Sequence, residues 1–160
     1  MSEYVLNLIT DRTQHDVDRW RELNDKGFTR MSEAERDEWF GYMKGRYSHE
    51  DLNRVERAVE LLSERLREYG YLPTPLVVKT NWTAEDALYR EDMERYLNNI
   101  AILRGAMPFP KDTPYAPTID DKFDFVTANT IERILLDVNL FSEKTPDAWY
   151  RAGEIFSGEV

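Results

Sequence analysis

The sequence predicts a mainly α-helical fold, a bundle of about five helices in a single domain over residues 1–160, with a small β element formed by the two ends of the chain. Three observations support this prediction. Helix-start signatures recur along the chain, apolar residues recur at helical spacing, and both ends carry short β-prone stretches. A chain of 160 residues is the size of one ordinary domain and can bury a substantial core.

Four short segments have the composition of a helix start. Each begins with Ser or Thr and carries Asp or Glu three residues later: TQHD from Thr13, SEAE from Ser32, SHED from Ser48 and TAED from Thr83. The hydroxyl accepts hydrogen bonds from the free N–H groups of a first turn, and the carboxylate lies near the positive end of the helix dipole. We therefore expect these segments to begin helices.

The first two helices are expected over about residues 14–25 and 33–43, and Gly27 is the expected end of the first. Gly41 weakens the second prediction, because glycine inside a helix costs about 1 kcal/mol relative to alanine. The residues predicted to face inward are Val17, Trp20 and Leu23 in the first helix and Trp39, Phe40 and Met43 in the second.

The clearest periodicity lies in HEDLNRVERAVELLSERLREYG, which starts at His49 and ends at Gly70. Its apolar residues step alternately by three and four positions, and charged residues occupy the other faces. The resulting seam consists of Leu52, Val55, Val59, Leu62, Leu66 and Tyr69. The seam is shorter than three heptads, so one long helix packed in a bundle is favoured over a coiled coil.

A proline-containing stretch, LPTPLVVKTNW, interrupts the helical pattern, and its residues 76–79 are a candidate short strand. A fourth helix is expected over about residues 91–104 and a fifth over about 126–141, with Pro146 marking its end. Four prolines within residues 108–117 predict a stiff, extended loop between these helices. The predicted inward residues are Met93, Tyr96, Leu97, Ile100 and Leu103, then Ile131, Ile134, Leu135 and Val138.

The two ends of the chain are predicted to pair. YVLNLI near the start and GEIFSGEV at the end are rich in β-prone residues, and residues 76–79 would extend the same sheet. The tail also carries a cluster of large side chains: Trp149, Tyr150, Ile155 and Phe156. We treat these four as candidate interaction residues for a protein partner; packing onto the bundle is the alternative.

Composition argues against several functions. The chain has no cysteine, which excludes disulfides, thiolate metal sites and thiol catalysis. A net charge of −10 disfavours binding to nucleic acid or to anionic lipid. No apolar run approaches the roughly 20 residues that cross a bilayer, and the start lacks a signal-peptide pattern, so a cytoplasmic location is expected. We expect no cofactor.

Few residues suggest catalysis or metal binding. His49 stands beside Glu50, but consecutive residues on a first helical turn point in different directions, so an exposed histidine is favoured over a catalytic one. Asp120, Asp121 and Asp124 could hold a cation, yet DDKFD lacks the glycine and ligand spacing of an EF-hand, so a solvated loop is favoured. The chain has neither a nucleophile motif nor a phosphate-binding loop. It is therefore predicted to be neither an enzyme nor a metalloprotein.

Several segments, in order along most of the chain, resemble a family of short phage and prophage proteins. The segments that carry the resemblance are NLITDRTQHDVDRW, MSEAERDEWFGYMKGRYSHEDLNRVERAVELL, TNWTAEDALYREDMERYLNNIAILR and AWYRAGEIFSGEV. Genes of this family lie in tail and host-recognition modules of Gram-positive bacteria. The resemblance implies a non-enzymatic tail or baseplate protein that binds other tail proteins, located in the host cytoplasm during assembly and then in the virion. It transfers no catalytic or binding residue.

Two other functions remain open. One is a carbohydrate-binding module for the host cell wall, which requires exposed and roughly coplanar aromatic side chains. Trp20 and Trp39 are expected in the core. Trp82 precedes the expected N-cap Thr83, so it is expected to pack against the first turn of the helix that follows. The other is an acidic effector that inhibits a host protein by imitating the charge of nucleic acid. Self-association through the apolar C-terminal segment is compatible with the function of a phage-tail protein.

Overall fold

The structure is a computed structural model that describes the backbone of residues 6–157 and the side chains of residues 6–145. Its helices are α1 (Gln14–Lys26), α2 (Glu33–Phe40), α3 (His49–Glu68), α4 (Arg90–Gly105) and α5 (Phe125–Ser157), with a short 3-10 helix (Phe28–Arg30) between α1 and α2. Residues 6–157 contain no strand. The mainly helical prediction is therefore confirmed, and the predicted β element is wrong.

The main core is formed by α3, α4 and α5, which pack on one another. The predicted inward faces supply most of it: Val55, Val59, Leu62 and Leu66; Tyr96, Leu97, Ile100 and Leu103; Ile131, Ile134, Leu135 and Val138, all at most 5 % exposed. Tyr69 and Met93 are only partly buried. The apolar spacing in the sequence thus located the three helices and the face that each of them buries.

The helices α1 and α2 form a smaller lobe with its own apolar cluster. Leu23, Met31 and Met43 are buried in it, and the half-buried Trp20 and Trp39 pack against them. These three buried residues do not belong to the main core. Contacts outside these two apolar clusters must therefore attach the lobe to the bundle.

The end of α2 differs from the prediction. The helix stops at Phe40 rather than near Met43, because Gly41 leaves the helical conformation (φ −75°, ψ 179°). Phe40 is consequently 76 % exposed, and its predicted inward position is wrong. The end of α1 agrees with the prediction, because Gly27 adopts a positive φ of 77° that favours glycine.

Three of the four helix-start signatures begin helices. TAED does not: Thr83 donates its N–H to Asp86 (2.8 Å), but the next residues form only a turn, and α4 starts at Arg90. The helix predicted over residues 91–104 is confirmed, whereas the helix start at Thr83 is wrong. Thr-x-x-Asp specifies a local turn, and only the residues after it decide whether a helix continues.

Replacing Ser32 with Ala is expected to lower the free energy of unfolding by about 1 kcal/mol, because the Glu35 N–H loses its acceptor, the Ser32 Oγ at 3.2 Å. Thr83→Ala is the matched control, since Thr83 makes similar contacts with Asp86 but precedes no helix directly. We expect it to change stability by less than about 0.5 kcal/mol. Urea denaturation measures both variants, and equal losses would contradict the difference.

The segment before α1 is extended but lies along α5 instead of pairing with a strand. The side-chain amide of Asn129 accepts from the Arg12 N–H (3.0 Å) and donates to the Arg12 carbonyl (2.9 Å). Glu132 accepts from the Ile9 N–H at 2.5 Å. Helix side chains thus supply the hydrogen bonds that a neighbouring strand would otherwise provide, which explains why this β-prone segment forms no sheet.

The stretch that contains residues 76–79 is held on α3 in the same way. Asn53 accepts from the Trp82 N–H (2.7 Å) and donates to the Trp82 carbonyl (2.9 Å), and Glu56 accepts from the Lys79 N–H (3.0 Å). The two holding helices carry matching pentapeptides, NRVER in α3 and NTIER in α5. We call each pair of Asn and Glu a clamp, since each grips an extended tetrapeptide through its backbone.

The chain between α4 and α5 is a loop, as its prolines predict. Arg104 donates from Nε to the Pro114 carbonyl at 2.9 Å. The Thr113 hydroxyl donates to the buried Asp137 on α5 at 2.7 Å. These contacts hold the loop against both helices.

The last helix is much longer than predicted. It has 33 residues, or about 50 Å at 1.5 Å per residue, and it continues through Pro146 to Ser157. A proline removes one N–H and can kink a helix without ending it. Residues 153–157 are helical, so the predicted terminal strand is wrong, because extending an existing helix outweighs a local β preference. Residues 158–160 lie outside the described part.

Candidate functional site

A buried group of four charged side chains lies where the extended N-terminal segment meets α3 and α5. This charge cluster consists of Arg12, Asp51, Arg54 and Glu132. One oxygen of Asp51 lies 2.9 Å from Nη2 of Arg12 and 2.6 Å from Nη2 of Arg54. One oxygen of Glu132 lies 2.7 Å from each of the same two nitrogens. Two cations thus alternate with two anions, and their formal charges cancel.

Local structure brings these side chains together. Asp51 and Arg54 are three residues apart on α3, so they lie on one face of that helix. Glu132 comes from α5, and the Asn129 clamp fixes the position of Arg12. The side chains of Asp51 and Glu132 are 0 % exposed and that of Arg12 is 2 % exposed. Such burial requires that every charge be paired.

Proton affinities in the charge cluster follow from this pairing. Burial by itself would raise the pKa of Asp51, but hydrogen bonds from Tyr42, the Ser48 N–H and Arg54 outweigh it and place the pKa below its ordinary value. Burial would lower the pKa of Arg54, yet its bonds to the two carboxylates raise it. Both groups therefore stay ionised near neutral pH.

Tyr42 closes one edge of the charge cluster. Its hydroxyl donates to Asp51 at 2.7 Å. Burial, and then this hydrogen bond, raise the pKa of Tyr42 to about 12. A protonated tyrosine beside a fully paired carboxylate offers no free base, so the arrangement is suited to holding segments together and not to proton transfer.

Another buried carboxylate, that of Glu56, has a similar role at a different position on α3. It receives bidentate hydrogen bonds from Arg95 on α4 (2.6 and 2.8 Å) and one from the indole of Trp82 (3.3 Å). It also holds the Lys79 N–H in its clamp. This carboxylate thus ties α3, α4 and the stretch before α4 together.

In the acidic loop before α5, two carboxylates accept hydrogen bonds from nearby backbone N–H groups. Asp121 accepts from the Thr118 N–H at 2.7 Å. Asp124 accepts from the N–H groups of Val126 and Thr127 at 3.0 and 3.1 Å, and so caps α5. Within residues 6–145 no group of three or more His, Asp and Glu side chains is arranged to hold a metal ion.

An exposed aromatic pair lies on the small lobe. The rings of Phe28 and Phe40 meet edge to face with centroids 5.6 Å apart. The guanidinium of Arg36 lies 4.8 Å from the Phe28 ring centroid, and its Nε donates to the Phe28 carbonyl. Phe40 is 76 % exposed and Phe28 is 47 % exposed. We call Phe28, Arg36 and Phe40 the aromatic surface.

The described tryptophans do not form a sugar-stacking platform. Trp82 is buried in the main core. No helix starts at Thr83, so the prediction that Trp82 packs against the start of a following helix is wrong. Trp20 and Trp39 are half-buried beside the lobe core. The four candidate interaction residues, Trp149, Tyr150, Ile155 and Phe156, lie outside the described side chains, and their role stays a prediction.

Sequence reasoning did not identify the charge cluster. In the segment SHED the sequence points to His49 as the candidate, whereas the residue that joins the charge cluster is Asp51, two positions later. A charged residue on the apolar side of a helix is the available signal: Asp51 lies four positions before the seam residue Val55, and Glu132 lies three positions before Leu135. That signal shows that a partner is needed and does not show which one.

The chain matches no family model, no curated protein and no solved structure. Within the part of the chain that the structure describes, no helix combines the length and hydrophobicity needed to cross a bilayer. The function therefore has to be argued from the residues themselves.

Proposed function

We propose that this protein is not an enzyme and that it binds other proteins as a structural or assembly component of a phage tail. The observation that carries the proposal is the aromatic surface. Phe40 exposes three quarters of its area although it packs on Phe28. Exposed aromatic side chains next to an arginine are typical of the few residues that dominate the energy of protein interfaces.

The charge cluster supports the non-catalytic part of the proposal. Each of its two carboxylates is bound by two guanidinium groups, which fixes its orientation. The pKa of Asp51 is also held below its ordinary value by hydrogen bonds. A general base or acid instead needs a group that exchanges its proton near the working pH. The resemblance of the chain to phage tail-module proteins supplies the context in which such a binding protein would act.

Phe40→Ser tests the proposal in a phage or prophage that encodes this chain. We expect the wild-type protein to co-sediment with tails or tail-assembly intermediates, and Phe40→Ser to reduce the bound fraction by at least tenfold. Loss of an interface hot spot costs about 2 kcal/mol or more, and each 1.4 kcal/mol is a factor of ten in affinity. Folding should be unaffected, since Phe40 contributes little to either core.

Tyr115→Ser is the matched control, because Tyr115 is 90 % exposed and lies in the loop between α4 and α5. It should bind as the wild type does. Thermal unfolding followed by circular dichroism verifies that both variants are folded. Absence of the wild-type chain from both tails and intermediates, or equal binding by the Phe40 and Tyr115 variants, would refute the proposal.

A further inference from the structure

A cleft of about 270 Å³ lies between α1, the turn that contains Gly45 and the start of α5. Aromatic side chains supply much of its wall: Trp20, Tyr47, Phe123 and Phe125. No residue of the aromatic surface lines it. A concave site with apolar walls and a few polar groups is the usual form of a small-molecule site, and this volume suits a small ligand.

The charges around the cleft are mainly positive, although the chain as a whole carries −10. Four cationic side chains line it and one carboxylate, that of Asp124, which already caps α5. Lys44 pairs with Asp11 at 2.6 Å, and Arg12 belongs to the charge cluster. The other two cations, Arg21 and Lys122, form no ion pair with a described residue.

Two buried donors in the cleft wall have no acceptor. Among the described side chains, only Nε of Arg12 and Nε1 of Trp20 are buried nitrogens without a hydrogen-bond partner, and both residues line this cleft. A buried donor left without an acceptor is unfavourable, because it has lost its hydrogen bonds to water and gained none in return. Both N–H groups are covered in this structure, so binding of an acceptor requires that a neighbouring side chain move. Arg21 and Lys122 are exposed, long and unpaired, which allows such a movement.

We propose that this cleft binds a small organic anion, a carboxylate or phosphate carried on a flat apolar body. The anionic group accepts from the Trp20 indole and the Arg12 Nε–H and is attracted by Arg21 and Lys122. The apolar body lies against the aromatic wall. The proposal goes beyond binding to tail proteins and does not depend on it, because the two sites share no residue.

Titration of the full chain with phenyl phosphate and benzoate tests this site, with neutral benzamide as the control ligand. The readout is the indole N–H signal of Trp20 in a ¹H–¹⁵N spectrum, assigned with Trp20→Phe. We expect a saturable shift of that signal with both anions and none with benzamide at the same concentrations. The benzamide carbonyl can also accept a hydrogen bond, but the neutral molecule is not attracted by Arg21 and Lys122. The Trp39 indole, which does not line the cleft, should not shift.

Lys122→Gln should weaken binding of phenyl phosphate at least fivefold. Lys111→Gln, which removes an exposed lysine that does not line the cleft, should leave it unchanged. Equal shifts with benzamide would overturn the proposal, and so would equal affinity of the Lys122 variant and the wild type. It would also be overturned if none of the three probes shifted the Trp20 indole signal and that signal showed contact with bound water only. Saturation by inorganic phosphate at the same concentration would overturn the role of the apolar body.

Discussion

Replacing Arg12 with Met is expected to lower the free energy of unfolding by about 3–5 kcal/mol, the usual cost of breaking a buried ion pair by removing one partner. Asp51 and Glu132 would keep only Arg54 as a cationic partner while staying buried. The bond from Arg12 to the Ile9 carbonyl (2.8 Å) would also be lost. Because small domains are stable by only about 5–15 kcal/mol, this substitution removes a large part of the stability.

Arg19→Met is the matched control. Arg19 pairs with Glu22 and Glu38, but all three side chains are partly exposed, between 31 % and 61 %. Exposed pairs contribute at most about 1 kcal/mol, so a loss no larger than that is expected. Urea denaturation followed by circular dichroism compares the two variants. A loss for Arg12→Met as small as the loss for Arg19→Met would mean that water screens the charge cluster.

Replacing Gly45 with Ala is expected to cost about 3 kcal/mol, the upper end of the range for overpacking. A Cβ at this position would lie 1.9 Å from the carbonyl oxygen of Asp16 and 2.7 Å from the backbone nitrogen of Val17. These are backbone atoms of α1, so no side-chain rotation relieves the overlap. Either α1 or the turn must move, which disturbs the attachment of the lobe.

Gly105→Ala is the control for this prediction. Its added Cβ would meet nothing within 4 Å, and Gly105 is the last residue of α4. Alanine is preferred over glycine in a helix, so this variant should gain up to about 1 kcal/mol. Thermal and urea unfolding of both variants gives the comparison. A neutral Gly45→Ala would show that the turn and α1 do not approach each other this closely.

Both predictions concern residues in the segments that flank the lobe: Arg12 lies just before α1, and Gly45 lies between α2 and α3. The main core and the lobe core share no buried residue. The charge cluster joins the segment before α1 to α3 and α5, and the ion pair of Lys44 with Asp11 joins the turn after α2 to that same segment. Gly45 in this turn closely approaches Asp16 of α1. Such polar and closely fitted contacts depend on exact geometry, so single substitutions there should have larger effects than at most surface positions.

The two clamps bind segments on opposite sides of their helices in the chain order: one segment follows its helix and the other precedes it. The clamp on α3 grips residues 79–82, which follow it by 23 to 29 positions. The clamp on α5 grips residues 9–12, which precede it by 117 to 123 positions. The gripped segments open two similar stretches, ITDRTQHD from Ile9 and KTNWTAED from Lys79. This recurrence is too short to stand out in the sequence, and it becomes evident because both copies make the same contacts.

Local patterns in the sequence are sufficient to predict the helices of the bundle and the faces that they bury. Apolar spacing located α3 and α4 to within a few residues, and the Ser–x–x–Glu signature located the start of α2. These features can be read locally, because helical hydrogen bonds and caps join residues three or four positions apart. The end of α5 could not be read in this way, since it depends on extension of a helix through Pro146.

The charge cluster, the clamps and the cleft form only when the helices pack, so local sequence patterns do not predict them. Arg12 and Glu132 are 120 positions apart, and Asn129 and Arg12 are 117 apart. A sequence shows that a buried charge or an extended backbone needs a partner, but not which of 31 acidic residues provides it. That choice is made when α3 and α5 pack, because only then do their side chains surround the same segment of backbone.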